Sequence, residues 1–167
     1  DGKPDLIAAG NDNRLRFYHN TGNLAAPTFA GFTIVPGPVG QFVVPANVGG
    51  RIDIADWDGD GKLDLLTGEF EGYITWYRNT GSANAPVFGD PGIQLKRNGT
   101  LIKEAYNTHP RVFDFNQDGV PDLAYGVNWG DFKLLPNTEG LGATNFPGYY
   151  GLKDTNGSNL VIRGLIG

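Results

Sequence analysis

The nine residues Asp56-Trp57-Asp58-Gly59-Asp60-Gly61-Lys62-Leu63-Asp64 put a carboxylate at positions 1, 3, 5 and 9 of one loop. Asp114-Phe115-Asn116-Gln117-Asp118-Gly119-Val120-Pro121-Asp122 repeats that spacing, with Asn116 at position 3. Side-chain oxygens so spaced curl around one point, where like charges repel unless a cation sits among them. Calcium suits such a loop, because it takes about six to eight oxygens at roughly 2.3–2.6 Å and tolerates irregular geometry. Magnesium demands near-octahedral geometry and keeps its waters, so it suits the loop less well. Position 7, Lys62 or Val120, would offer its backbone carbonyl, which leaves the side chain free to vary. Gly61 and Gly119 supply the sharp turn. The plainer alternative is an Asp/Gly-rich turn with no ion, and the recurrence of four oxygens at matched spacing argues against it. Two features separate the loop from an EF-hand: position 12 is Thr67 or Tyr125, and the flanks read as strands. Asp1, Lys3 and Asp5 supply the second half of a third loop of the same kind.

The elements that hold these loops form a repeat. DGKPDLIAAGNDNRLRFYHNTG from Asp1, DGKLDLLTGEFEGYITWYRNTG from Asp60 and DGVPDLAYGVNWGDFKLLPNTEG from Asp118 share one register, with offsets of 59 and 58 residues. Asn20, Asn79 and Asn137 keep those offsets, as do Phe29, Phe88 and Phe146. Three tandem repeats of about 58–59 residues follow. They lie at approximately 1–55, 56–113 and 114–167 within one repeat domain, 1–167. The aromatic and branched runs Leu15 to Tyr18, Ile74 to Tyr77 and Phe132 to Leu135 predict strands ending in Asn-Thr turns. Arg51 to Ala55 and Arg111 to Phe113 lead into the acidic loops; Asp5 to Ala8, Asp64 to Thr67 and Asp122 to Tyr125 lead out. Ile93 to Lys96 and Leu101 to Lys103 flank an Asn98-Gly99 hairpin turn. The reading is all-β, with β-propeller-type blades of four strands per unit and some with a fifth short piece.

DWDGDGKLDLL, DFNQDGVPDLA, DGKPDLI, YRNTGSANAPVF and YHNTGNLAAPTF resemble the FG-GAP/VCBS repeats of integrin-α-like β-propellers, and the resemblance covers essentially the whole chain. It implies a calcium ion held at the blade edge in a mainly structural role. It also implies a propeller of about seven blades, so that three units form part of a larger or oligomer-completed propeller. Such blades occur in adhesion proteins, in carbohydrate-binding proteins and beside polysaccharide-degrading enzymes, so the resemblance fixes the fold more closely than the function.

Composition agrees. An apolar fraction of 40% in 167 residues suffices for a core, and 26 glycines with 11 prolines, spread between apolar runs, indicate many turns. The absence of cysteine excludes a disulfide framework, a zinc ribbon and thiol catalysis. No apolar stretch approaches the roughly 18 residues of a membrane span. Half of the 18 acidic residues sit in the repeated loops, so the net charge of −5 describes the ion sites more than a surface field. No basic patch with interleaved aromatics suggests nucleic acid. The first residue is Asp1 and the chain stops at Gly167, just before a strand that would lead into a fourth loop, which reads as an excised piece of something longer.

Three aromatic residues, Trp76, Tyr77 and Trp129, are candidates for a sugar-stacking platform; the competing reading is that they fill the space between blades. Trp57, inside an acidic loop, is expected to shield the ion. His109, Tyr106, Lys103 and Arg111 break the repeat and would suit a lyase needing a base and a charge neutraliser, though each is individually unremarkable. His19 aligns with Arg78 and Pro136 and has no clear role. Asn98 and Asn156 head glycosylation sequons on matched hairpin tips. The expectation is therefore a calcium-stabilised module of the extracellular space or cell envelope, with a binding, adhesion or structural role. Its partners would be a glycan, a protein, or further copies or blades of the same propeller. A propeller-type polysaccharide lyase or hydrolase and a self-assembling fibre are the alternatives.

Overall fold

The computed structural model describes residues 1–10, 12–37, 40, 44, 51–89, 91–128, 130–153 and 155–158. Thirteen strands and no helix are found there: β1 (Leu6–Ala9), β2 (Leu15–Tyr18), β3 (Thr33–Ile34), β4 (Ile52–Ala55), β5 (Asp64–Gly68), β6 (Ile74–Tyr77), β7 (Ile93–Gln94), β8 (Lys96–Arg97), β9 (Thr100–Leu101), β10 (His109–Phe113), β11 (Asp122–Gly126), β12 (Phe132–Leu135) and β13 (Asn145–Phe146). They form antiparallel sheets in the orders β1-β2-β3, β4-β5-β6-β7 and β10-β11-β12. In the third sheet a bridge from Leu134 to Tyr150 stands where β7 pairs with β6 in the second. Each acidic loop joins two neighbouring strands of one sheet, β4 to β5 or β10 to β11, so the sheets are offset by one strand from the sequence repeats.

The side chains of β5 and β6 explain how the sheets stack. Both strands are buried throughout, and their residues divide between two cores. Leu65 and Tyr77 join Leu15, Val35 and Phe88, with Ile7 and Phe17 of the first sheet packed against them. Leu66, Ile74 and Trp76 join Leu123, Tyr125, Leu135 and Phe146 on the other side. Alternation along a strand sends successive side chains to opposite faces, and here both faces meet a neighbouring sheet. Hydrogen bonds register the second sheet on the third: the Val112 N–H donates to Asp53 Oδ2 at 2.7 Å, and Arg111 donates to the Ile52 carbonyl at 3.0 Å.

The segment Ile93 to Lys96 departs from its expected single strand. β7 ends at Gln94 and β8 begins at Lys96, because buried Leu95 turns inward and bonds both Ile74 and Ile102. β8 and β9 form the expected Asn98-Gly99 hairpin, with φ of 51° and 77° at the two turn residues. The hairpin then pairs in parallel with β13 of the next unit. Behind it lies Glu104, which accepts hydrogen bonds from the Tyr125 hydroxyl and Lys133 and pairs with Arg97 at 3.5 Å. Burial works against the Glu104 carboxylate, but the hydrogen bonds from Lys133 and Tyr125 and the nearby charges of Lys133 and Arg97 outweigh it and hold its pKa below the ordinary value.

A carboxyl whose pKa is lower in the folded state contributes stability that is complete above its unfolded value and is lost as pH falls through the folded value. Glu104→Gln should therefore destabilise the protein by about 1–3 kcal/mol near neutral pH. That deficit should shrink below about pH 4, where wild type also loses the charge. Urea unfolding of both proteins across this range checks it, and a pH-independent difference contradicts it.

Candidate metal centre

The acidic loops are built from aspartates that bond back to their own backbone. In the second repeat the Gly61 N–H donates to Asp56 Oδ2 at 3.0 Å, the Asp60 N–H to Asp58 Oδ1 at 3.2 Å, and the Lys62 N–H to Asp60 Oδ1 at 3.0 Å. The third repeat reproduces all three, from Gly119 to Asp114 at 2.9 Å, Asp118 to Asn116 at 3.0 Å and Val120 to Asp118 at 2.8 Å. The first retains the last of them, Lys3 to Asp1 at 3.0 Å. Gly2, Gly61 and Gly119 share a φ between 83° and 86°, the left-handed turn that glycine adopts without strain.

This scaffold aims the carboxylates at one another. Asp56, Asp58 and Asp60 each offer an oxygen, and the three lie within 4.8 Å of one another. Asp56 Oδ1 is buried with no hydrogen-bond partner. A buried carboxylate oxygen left so is costly, and a bound cation relieves the cost. Arg78 pairs with Asp58 and, at 3.2 Å, with Asp60, while Lys62 sits 3.0 Å from Asp60. The hydrogen bond from Lys62 holds the Asp60 carboxyl below the ordinary range. In the first repeat His19 stands at Arg78's position, 3.8 Å from Asp1 and 3.2 Å from Asp5. The third repeat has Pro136 at that position.

The ninth-position aspartates stand apart from the group of three. Asp64 and Asp122 are fully buried. Oδ1 of each accepts the N–H of Asn79 or Asn137 at 2.7 Å, and Asp5 accepts that of Asn20 at 2.8 Å. The second oxygen of Asp64 accepts Trp76 Nε1 at 3.0 Å; that of Asp122 accepts the Phe115 N–H at 2.9 Å. Burial raises the Asp64 pKa, and the Asp58 and Asp60 charges raise it further, which places all three in one field. The recurrent asparagines fasten this corner: each Nδ2 donates to the carbonyl of Pro4, Leu63 or Pro121, and each Oδ1 accepts two backbone N–H groups from the following turn. Their equal spacing is the sequence signal for this staple.

Trp57 does not shield the loop. It is buried in the core, its Nε1 donates to the Ala143 carbonyl at 2.9 Å, and its ring packs 6.1 Å from Phe146. The neighbouring backbone is held from the same side, because the Gly142 N–H donates to the Trp57 carbonyl at 2.8 Å and Leu141 lies so close to Gly59 that a Cβ there would meet it at 2.5 Å. The third loop carries Gln117 at the position of Gly59, with φ of 62°. Phe115, in Trp57's place, is 50% exposed.

The model of the FG-GAP-like repeat family matches residues 1–67 and again residues 56–125. The chain belongs to the FG-GAP-like repeat family. Its loops, sheets and stacked faces form a β-propeller-type repeat module. Neither the curated proteins nor the solved structures contain a match to it.

The other candidates of this FG-GAP-like chain are placed as follows. Trp76 and Tyr77 are 5% and 4% exposed and sit in opposite inter-sheet cores, so neither presents a ring face on which a sugar could stack. Trp129 lies outside the described residues. Tyr106 packs on Phe70, Lys103 lies over the Tyr73 ring, and Arg111 is tied to Ile52. Burial and the charges of Arg51 and Arg111 lower the His109 pKa, favouring its neutral form. No helix among the described residues is long and apolar enough to cross a membrane.

Proposed function

We propose that this FG-GAP-like module binds calcium at its acidic loops and works outside the cell as a calcium-stabilised binding or structural unit. The observation that carries the reading is the Asp56, Asp58 and Asp60 group with its orphaned, buried Asp56 Oδ1. These are hard oxygen donors with no nitrogen or sulfur among them, which favours calcium over a transition metal. Asp56, Asp58 and Asp60 would hold the ion in the second repeat, and Asp114, Asn116 and Asp118 in the third. The position-7 carbonyls of Lys62 and Val120 and the Asp64 and Asp122 carboxylates would stand close by. Asp1, Lys3 and Asp5 form the corresponding half-site.

Arg78 and Lys62 compete with the ion for Asp58 and Asp60. Such competition weakens affinity toward the range of about 10⁻⁴–10⁻³ M found in extracellular modules, where calcium is plentiful. Calorimetric titration with calcium tests the reading. Two saturable sites are expected in wild type, one after Asp56→Ala, and tighter binding at the second-repeat site after Arg78→Gln. Heat no different from buffer dilution sinks the proposal.

A further inference from the structure

The sequence holds two Asn-Gly pairs, Asn98-Gly99 and Asn156-Gly157. Asn98 and Gly99 form the exposed tip of the β8–β9 hairpin, with positive φ at both. Gly99 has no side chain to obstruct the approach of Asn98 Cγ to its nitrogen, and a Cβ built there would meet nothing within 4 Å. That nitrogen is nevertheless engaged: the Gly99 N–H donates to Asn145 Oδ1 at 2.7 Å, beside the parallel pairing of β8 with β13. The Asn98 N–H donates to the Phe146 carbonyl at 2.8 Å, and the Phe146 ring packs on Trp57. The hairpin tip is thus tied by two bonds to the strand that backs the second acidic loop.

We propose that Asn98 is a self-modification site, an asparagine that deamidates through a cyclic imide, and that Asn145 is the residue that restrains it. The Gly99 nitrogen, its proton taken by hydroxide, attacks Asn98 Cγ. The new C–N bond closes a five-membered succinimide, and Nδ2 takes up a proton and leaves as ammonia. Water then opens the ring. Cleavage of the Cγ–N bond leaves an aspartate at position 98; cleavage between the Asn98 backbone carbonyl carbon and the Gly99 nitrogen leaves an isoaspartate, whose chain continues through Cβ and Cγ. In sum an amide and a water become a carboxylic acid and ammonia, with no oxidant or enzyme required. The bond to Asn145 keeps the Gly99 N–H from base, so attack waits on its release. The isoaspartate lengthens the turn by one backbone atom. Because turn length sets hairpin register, the pairing with β13 is disturbed and Phe146 loses its support.

The test incubates the full chain, as wild type, Asn145→Ala and Asn145→Asp, in mildly alkaline buffer below its melting temperature. Peptide mass spectrometry follows the amide-to-acid mass gain at positions 98 and 156, with aspartate and isoaspartate forms separated by chromatography. A synthetic peptide of residues 96–101, Lys-Arg-Asn-Gly-Thr-Leu, gives the rate without the fold. Wild type should deamidate at Asn98 measurably but several-fold more slowly than the peptide, and Asn145→Ala should approach the peptide's rate. Asn145→Asp, which keeps an acceptor oxygen, should return to the wild-type rate. Asn156 should react alike in all the proteins, which separates release of one hydrogen bond from a general loosening of the fold. An unmodified Asn98 in Asn145→Ala, equal rates in wild type and Asn145→Ala, or a parallel rise at Asn156 would overturn the proposal.

Discussion

Excess chelator should lower the melting temperature of this protein by roughly 10–20 °C relative to saturating calcium, about one hundredfold above its dissociation constant. A ligand that binds only the folded state adds about 2.7 kcal/mol at a free concentration one hundredfold above its dissociation constant. The second and third loops together would therefore contribute about 5 kcal/mol, a large share of a domain's usual stability. For chains near this length each kcal/mol moves the melting temperature by about 2–4 °C. The physical source is the carboxylate group: Asp56, Asp58 and Asp60 converge within 4.8 Å, and Arg78 and Lys62 offset part of their charge. In the third loop Asp114 and Asp118 have no such cation among the described pairs, so Asp118→Ala should remove about half of the calcium-dependent shift. Scanning calorimetry with and without chelator decides the matter, and coincident melts would show that the loops are held by hydrogen bonds alone.

Trp57→Ala should cost about 3–5 kcal/mol, the usual loss for deleting a large buried aromatic side chain. Its ring is fully buried against Phe146, and its indole N–H is satisfied by the Ala143 carbonyl. Truncation leaves both a cavity and an unpaired buried carbonyl. Phe115→Ala, the same change one repeat later, should cost less than about 1 kcal/mol, because that ring is half exposed and touches Phe113 at 5.9 Å. The pair forms an internal control: chemical denaturation of both variants should separate them by several-fold in free energy. Equal losses would mean that the two loops are supported alike, contrary to the packing described.

Much of this arrangement could be read from the residues. The runs Leu15 to Tyr18, Ile74 to Tyr77 and Phe132 to Leu135 coincide with β2, β6 and β12, because branched and aromatic residues favour strands even where Arg16, Thr75 or Lys133 interrupts the apolar run. The Asn98-Gly99 turn was equally plain, since few other pairs accept two successive positive φ angles. What stayed hidden depends on partners distant in the chain. Trp57 looked like part of the loop because its neighbours are aspartates, yet its own contacts are 86 and 89 residues away. Asn20, Asn79 and Asn137 recurred visibly, but spacing says nothing of which carbonyls they meet. Glu104 and Asp53 carry no motif, and only the stacking of one sheet on the next gives each its partner. The aromatic pair Trp76 and Tyr77 shows the converse: composition cannot tell a platform from a filler, and both faces of β6 are covered.

The reach of residues 141–146 back onto Trp57 and Gly59 means that the smallest self-sufficient piece of this chain is staggered against its sequence period. A polypeptide cut after Phe113 would retain every acidic donor of the second loop and still lose the wall behind it. The packing of that acidic loop is thereby set by its downstream neighbour, so shortening the array by one unit would loosen the loop at the join as well as changing the number of loops.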